Sequence, residues 1–376
     1  MAGERVFEEL KEKRLVSAEL HFLVQELKVL EGAKLQRVHQ RSEKDFLFDF
    51  HIASLGKRYL RLILPNLAFL SQNKPQMPQN PMRMCSLLRK HLEGAFLEKI
   101  SQLGFERILR LEFRAKSEHY ILFAELFSRG NLVFCNSELK ILGVAEEQNW
   151  SSRKIAPGLE YLPPPKSEDA REVSLENLMQ ILSRSEKGLA QFLAKELSLG
   201  GVYAEEVCLR SGLEKSRNTS SLSAEEAQKI ISTIRELFSE TLKPRIVFSS
   251  GKMVDIIPVP LYYYSGLQFE VLGSFSEGLE RAPIPEHSDD SESQLSRIIE
   301  EQQRAFNALI ERADSSEKKA ELIYSHYNEI KAALDFLREE SAKSSVSEAF
   351  DKLMSRFSFV KAVDKKERRI TFEFPE

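Results

Sequence analysis

The chain has 376 residues, 42% of them hydrophobic, and a net charge of −3. That length suggests two or three domains, and that apolar content excludes a disordered chain. The near-neutral balance gives no overall basic signature of a nucleic-acid binder, so charge has to be read segment by segment.

Cys85, Cys135 and Cys208 lie far apart. Their spacing makes neither a zinc site nor a disulfide framework, and semi-buried thiols in a reducing compartment are expected. The opening MAGER lacks the apolar run of a signal peptide. No stretch approaches the roughly 18 apolar residues of a membrane span. A cytosolic protein with no membrane partner, no metal and no cofactor is the expectation.

Leu15, Phe22, Leu23, Leu27 and Leu30 set a helical period over residues 15–30, and Gly32 ends it. Alternating runs at 35–39, 46–50 and 59–64 predict a meander with a turn at Gly56. Residues 71–81 (SQNKPQMPQNP) read as a loop, and a helix starts near Met82 with Pro81 in its first turn and ends near Ile100. Strands at 108–113, 120–126 and 132–135 complete an antiparallel sheet. Residues 1–165 therefore read as an N-terminal α+β domain.

Pro163-Pro164-Pro165 opens a linker, and residues 166–241 predict a helix-hairpin-helix domain. Residues 242–285 return to strand and pack on the N-terminal domain, with 258–264 too rich in proline for a central strand. Residues 282–293 are an acidic linker. Residues 286–345 predict a coiled-coil hairpin: Leu295, Ile298, Gln302, Ala305 and Leu309 line one arm, and Ile323, Tyr327, Ile330, Leu334 and Leu337 the other. Asp314-Ser315-Ser316 is the expected break, and each arm of about 20 residues would reach roughly 30 Å. Residues 346–376 form a small α/β tail, with strands at 359–363 and 370–374 around Asp364-Lys365-Lys366-Glu367.

Several segments carry chemistry. In Leu197 to Val207 a helix runs into Gly200-Gly201 and another leaves. Unpaired N–H groups and the helix dipole make such a hairpin, with Tyr203 in its first turn, a natural phosphate site. A plain helix corner with a glycine cap is the other reading. Between Asn73 and Lys116 nine Lys/Arg face four Asp/Glu, with Arg89, Lys90 and His91 adjacent on one predicted helix. Glu106-Arg107 alone reads as a surface ion pair. His39 and His51 read as structural or exposed. Trp150, Tyr161 and Phe127 stack on bases or pack in the core. Of Tyr262, Tyr263 and Tyr264, at least one ring has to face outward.

Two resemblances add to this. LSLGGVYAEEVCLRSGL with SLSAEEAQKIISTIRELF is similar to the helix–two-turn–helix of formamidopyrimidine-DNA glycosylases, which implies a hairpin that holds a nucleic-acid backbone and a glycosylase-like N-terminal sheet domain. Those enzymes carry an N-terminal Pro-Glu nucleophile, and many a four-cysteine finger, and this sequence matches neither. A DNA-lesion-binding protein without base excision is the alternative that remains. The wider resemblance is to the NFACT family, which includes NEMF and RqcH, and within it to the archaeal type. It rests on PMRMCSLLRKHLEG (81–94), ISQLGFERI (100–108), ELFSRGNL (125–132) and PGLEYLPP (157–164).

That resemblance implies a ribosome quality control factor, not an enzyme. It would bind the large ribosomal subunit and its rRNA when obstructed by peptidyl-tRNA. It would recruit tRNA, often alanyl-tRNA, for template-free tailing, the ribosome making the peptide bond. Glu19, Glu106 and Arg107 fall on the tRNA-handling positions, each glutamate standing where the family has aspartate, one methylene or about 1.5 Å longer. Arg89, Lys90, His91, Arg129, Gly200, Gly201 and Tyr203 would hold nucleic-acid backbone. The coiled coil would reach along the ribosome, with homodimerisation as its alternative. The family continues into a domain named NFACT-R, so a truncated chain or a shorter variant is expected. A surface-adhesin role, a label some bacterial relatives carry, is opposed by the missing signal peptide.

Overall fold

Apolar residues at helical spacing form α1 (Ser17–Leu27), a single 3-10 turn extends it to Leu30, and Gly32 at φ +80° turns the chain away. Four strands follow: β1 (Lys34–Ser42), β2 (Asp45–Ile52), β3 (Gly56–Ile63) and β4 (Leu67–Ser71). Helix α2 (Arg83–Leu92) leads into β5 (Phe96–Gln102), β6 (Ile108–Ala115), β7 (Glu118–Glu125), β8 (Asn131–Asn136) and β9 (Ile141–Val144). Three expectations are corrected here. Pro81 precedes the N-cap Met82 and is outside the first turn. The helix stops at Leu92, where Gly94 takes φ +83°, and residues 96–102 are strand. Residues 67–71 are also strand.

The nine strands form one antiparallel sheet in the order β4-β3-β2-β1-β5-β6-β7-β8-β9. Its halves meet where β1 and β5 pair at Lys34 and Phe96, with further backbone hydrogen bonds between residues 32–35 and 94–97. The sheet folds over at that seam, so Phe50 of β2 stacks on Phe113 of β6 with centroids 6.4 Å apart. This α+β region continues through the short pair β10 (Gln148–Asn149) and β11 (Lys154–Ile155).

Four helices follow: α3 (Leu175–Ser183), α4 (Leu189–Lys195), α5 (Gly201–Ser211) and α6 (Ala224–Phe238). A three-stranded sheet, β12 (Arg245–Ser249), β13 (Lys252–Ile257) and β14 (Gln268–Val271), then precedes α7 (Phe275–Arg281). Residues 258–264 contain no strand, as their prolines required. Two elements bind the parts together. From α1, Leu20, Leu23 and Leu27 enter the sheet core, while Ala18 and Phe22 enter the helical core. From β12 and β13, Ile246 and Ile256 face the first core and Val247 and Ile257 the second, the two-residue alternation of a strand buried on both faces. Burying each such side chain contributes about 1.5–3 kcal/mol.

The structure, a computed structural model, describes residues 7–374 apart from 79, 151, 166–167, 285–289, 344 and 365–368, and the chain divides into units Met1–Glu286 and His287–Glu376. The second unit contains α8 (Asp290–Ser325), α9 (Tyr327–Lys343), α10 (Val346–Arg356) and the pair β15 (Val360–Asp364) and β16 (Arg369–Phe372). The expected break at Asp314-Ser315-Ser316 is corrected: all three lie inside α8, and the division between helices falls instead at His326, whose N–H still donates to Leu322 O and whose carbonyl accepts from the Ile330 N–H. One Asp and two Ser cost a helix only a few tenths of a kcal/mol each, which the flanking Ala, Glu and Lys residues sustain. The acidic linker is also shorter than expected, since α8 begins at Asp290. Residues 285–289 and the tail turn at 365–367 lie outside the described residues, as do the side chains of Leu295, Ile298 and Ala305. Phe306, Leu309, Ile323, Tyr324 and Tyr327 are exposed.

Candidate nucleic-acid interface

The loop between β5 and β6 is held from below. Gly104 turns it with φ +58°, and the Leu103 N–H donates to Ile108 O at 3.0 Å. Phe105 plugs into the helical core, edge-on to Phe238 at 5.3 Å. Gln102 Nε2 donates to Ser17 O and to Glu106 O, each at 2.9 Å, which ties the loop to the first turn of α1. With Phe105 inward, Glu106 and Arg107 turn toward a cleft of about 370 Å³. Val16, Ser17, Phe127, Pro164, Ala194, Ser198 and Gly200 complete its walls. Half-buried Arg107 makes no side-chain hydrogen bond or salt bridge among the described residues. Burial and then the charge of Arg14 work against its proton affinity, and Glu106 supports it.

The hairpin wall is built by α4 and α5. Ser198 and Gly200 both take positive φ, +53° and +80°. The Leu199 and Gly200 N–H groups donate to Leu193 O and Ala194 O, so the loop's own donors are spent on α4. The outward donors are those of the first turn of α5. A Cβ on Gly200 would come within 3.1 Å of Val16 Cγ1, whereas one on Gly201 would meet nothing within 4 Å. Gly200 thus seats the hairpin on α1, and Gly201 is the open position.

Two predicted site residues are corrected. Tyr203 is 1% exposed, in the helical core with Ala204 and Val207, and cannot reach a ligand. Glu19 is 2% exposed. Its Oε1 accepts from Lys13 Nζ at 2.6 Å and its Oε2 from the Val16 N–H at 3.1 Å. Lys13 also donates to Asp255 Oδ1 at 2.6 Å, and the Tyr264 hydroxyl donates to Asp255 Oδ2 at 2.5 Å. Burial raises the Glu19 carboxyl to about 7, against the pull of Lys13. Burial also opposes the Lys13 charge, but Asp255 and Glu19 outweigh it and hold the ammonium above its ordinary range.

The remaining candidates lie apart from the cleft. Arg89 Nε donates to Val38 O at 2.7 Å, and His91 Nδ1 meets the Tyr120 hydroxyl at 3.0 Å, so both serve the packing of α2, while Lys90 is exposed. Arg129 pairs with Glu146 at 3.1 Å and lies over Trp150. Tyr161 is buried, stacked on Phe123 and bonded to Glu125; Phe127 lines the cleft; Tyr262 is the exposed member of its triplet. The cysteines are fully buried. Buried Lys13 and Asp255 were missed by sequence reasoning. Glu19 left a signal, because Phe22 and Leu23 follow at i+3 and i+4 on the same buried side of α1.

A folded-over antiparallel sheet, a helical hairpin and a cleft between them bearing an arginine make this an α+β protein with a hairpin-walled cleft. The chain belongs to the NFACT family: the description "NFACT N-terminal and middle domains" matches residues 17–351. It is 27% identical over 346 residues to the archaeal Rqc2 homolog aRqcH of Methanocaldococcus jannaschii, covering 85% of this chain and 51% of that protein. It is 26% identical over 200 residues to the Rqc2 homolog RqcH of Bacillus subtilis, covering 48% of this chain and 35% of the relative. The N-terminal part of the fibronectin/fibrinogen-binding protein from Streptococcus suis has the same fold, with TM-score 0.58 and 23% identity over 71% of this chain and 98% of that one. The chain therefore spans about half the length of the archaeal relative. Among the described residues no helix is long and apolar enough to cross a membrane.

Proposed function

We propose that the protein is a ribosome quality control factor that binds obstructed large ribosomal subunits and positions tRNA for template-free, alanine-type extension of the stalled chain. It acts in the cytosol as a binding factor, and the ribosome makes the peptide bond. The names carried by its relatives support this reading. The observation that carries it is the cleft in which Arg107, without a side-chain partner among the described residues, faces the glycine hairpin. A half-buried guanidinium left in that state is poised for an external anion or base, and a carboxylate beside it suits a ribose hydroxyl or base edge. Leu309 and Ile323, two positions of the proposed coiled-coil seam, are exposed on α8, and this seam docks on the subunit or on a second copy. The test is the tRNA recovered with the factor–subunit complex. Arg107→Ala should lose it while subunit binding persists, and Glu106→Gln should lower it. Wild-type tRNA occupancy in both variants would remove Glu106 and Arg107 from tRNA handling.

A further inference from the structure

Arg14 is an exposed cation on a pinned backbone. On one side Lys13 is locked in the buried cluster with Glu19 and Asp255. On the other, the Leu15 N–H donates to Asn66 O at 2.9 Å and its side chain is fully buried. Glu12 Oε2 accepts from Arg14 Nε at 3.0 Å and Nη2 at 2.7 Å, while its Oε1 accepts from Asn66 Nδ2 at 2.6 Å. The guanidinium is oriented from behind, and the side chain is still 64% exposed. Two and three residues further on, Val16 and Ser17 line the cleft that Arg107 also lines.

We propose that Arg14 and Arg107 form a two-guanidinium clamp for a phosphodiester group of the RNA in the cleft, a role that rests on the RNA-binding reading above. Arg14 sits at the rim where the chain enters the Val16–Ser17 wall of the cleft that Arg107 lines, and its charge works against the proton affinity of Arg107. Holding like charges together is unfavourable until an anion bridges them, and the planar fork of each guanidinium matches phosphate oxygens bidentately. Glu12 and Glu106 balance the pair before ligand arrives. Glu12 does so through one edge of Arg14, leaving its remaining N–H donors outward.

The experiment is the affinity of a tRNA transcript for the full chain between about 50 and 200 mM salt, for wild type, Arg14→Gln and Arg107→Ala, with thermal melts as a folding control. Arg14→Gln should bind about tenfold or more weakly, and its log-affinity against log-salt slope should shrink by about 0.7–0.9, one phosphate contact. Arg107→Ala should do the same. If Arg14→Gln keeps wild-type affinity and slope while Arg107→Ala loses both, the clamp is wrong and the functional reading stands. If Arg14→Gln weakens binding with an unchanged slope, the contact is not to phosphate and the clamp is wrong. If neither variant changes binding, both readings are wrong.

Discussion

The buried cluster around Lys13 and the cleft around Arg107 use the same chemical groups in opposite ways. Inside, one ammonium is divided between two carboxylates, a hydroxyl and a helix N-terminus close the set, and nothing faces solvent. At the cleft, the Arg107 guanidinium is half-buried and makes no side-chain bond among the described residues. Charges whose bonding capacity is filled from within fix geometry, and those left with spare donors are available to a ligand. Glu19 belongs to the first kind and Arg107 to the second, although the family resemblance implies one tRNA-handling set for both.

The largest effect expected from this contrast follows from Lys13→Met, which leaves Glu19 and Asp255 buried without their cation. Urea unfolding should show a loss of about 3–5 kcal/mol. A loss under about 1 kcal/mol would mean that the cluster does not hold the fold.

The next effect is a dependence on pH. The Glu19 carboxyl rises from an ordinary 4.5 to about 7 on folding, so between those values the folded chain binds more protons than the unfolded one. Its contribution is fully present below about 4.5 and is lost as pH rises through about 7, a swing on the order of a few kcal/mol. Glu19→Gln should flatten the stability profile of the wild type between pH 5 and 7.5. Parallel profiles for the two proteins would contradict the burial of this carboxyl.

Smaller still is the difference between the two glycines. Gly200→Ala forces a side chain into positive φ against Val16 and should cost about 1–2 kcal/mol in denaturant melts. Gly201→Asp meets open space, so stability should hold while RNA affinity falls through charge repulsion at the helix N-terminus. Equal melting losses in both would erase the distinction.

Much of the sheet was legible because short apolar runs rich in aromatic and β-branched residues announce strands, and β1 to β3 and β6 to β8 all contain one, although β2, β7 and β8 are buried along most of their length. β5 was not. A bulge between Leu97 and Lys99 shifts its register, so its buried residues Leu97 and Ile100 fall three apart, a helical spacing. β4 was missed because five residues beside a proline-rich loop give too short a pattern. The hairpin was legible from Gly200-Gly201. The burial of Tyr203 was also readable, since Ala204, Val207 and Cys208 share its face. The cluster was not, because Lys13 and Asp255 are 242 residues apart and only the fold brings them together. The cleft was half legible: a turn at Gly104 exposing Glu106 and Arg107 follows from sequence, but its facing wall of Ser198 and Gly200 comes from the tertiary packing of α5 on Val16.

Smallest in stability and most direct in function is the contrast between Arg107→Ala and Glu19→Gln. Arg107→Ala should shift unfolding by no more than about 0.5 kcal/mol, as expected for a side chain with few bonds to lose. The deciding measurement is the tRNA recovered per folded factor with the large-subunit complex for these two proteins. Arg107→Ala should lose its tRNA, and Glu19→Gln, once folded, should retain it. A folded Glu19→Gln protein without tRNA beside an Arg107→Ala protein that keeps it would contradict the account, because Glu19 would then be the contact and Arg107 the scaffold.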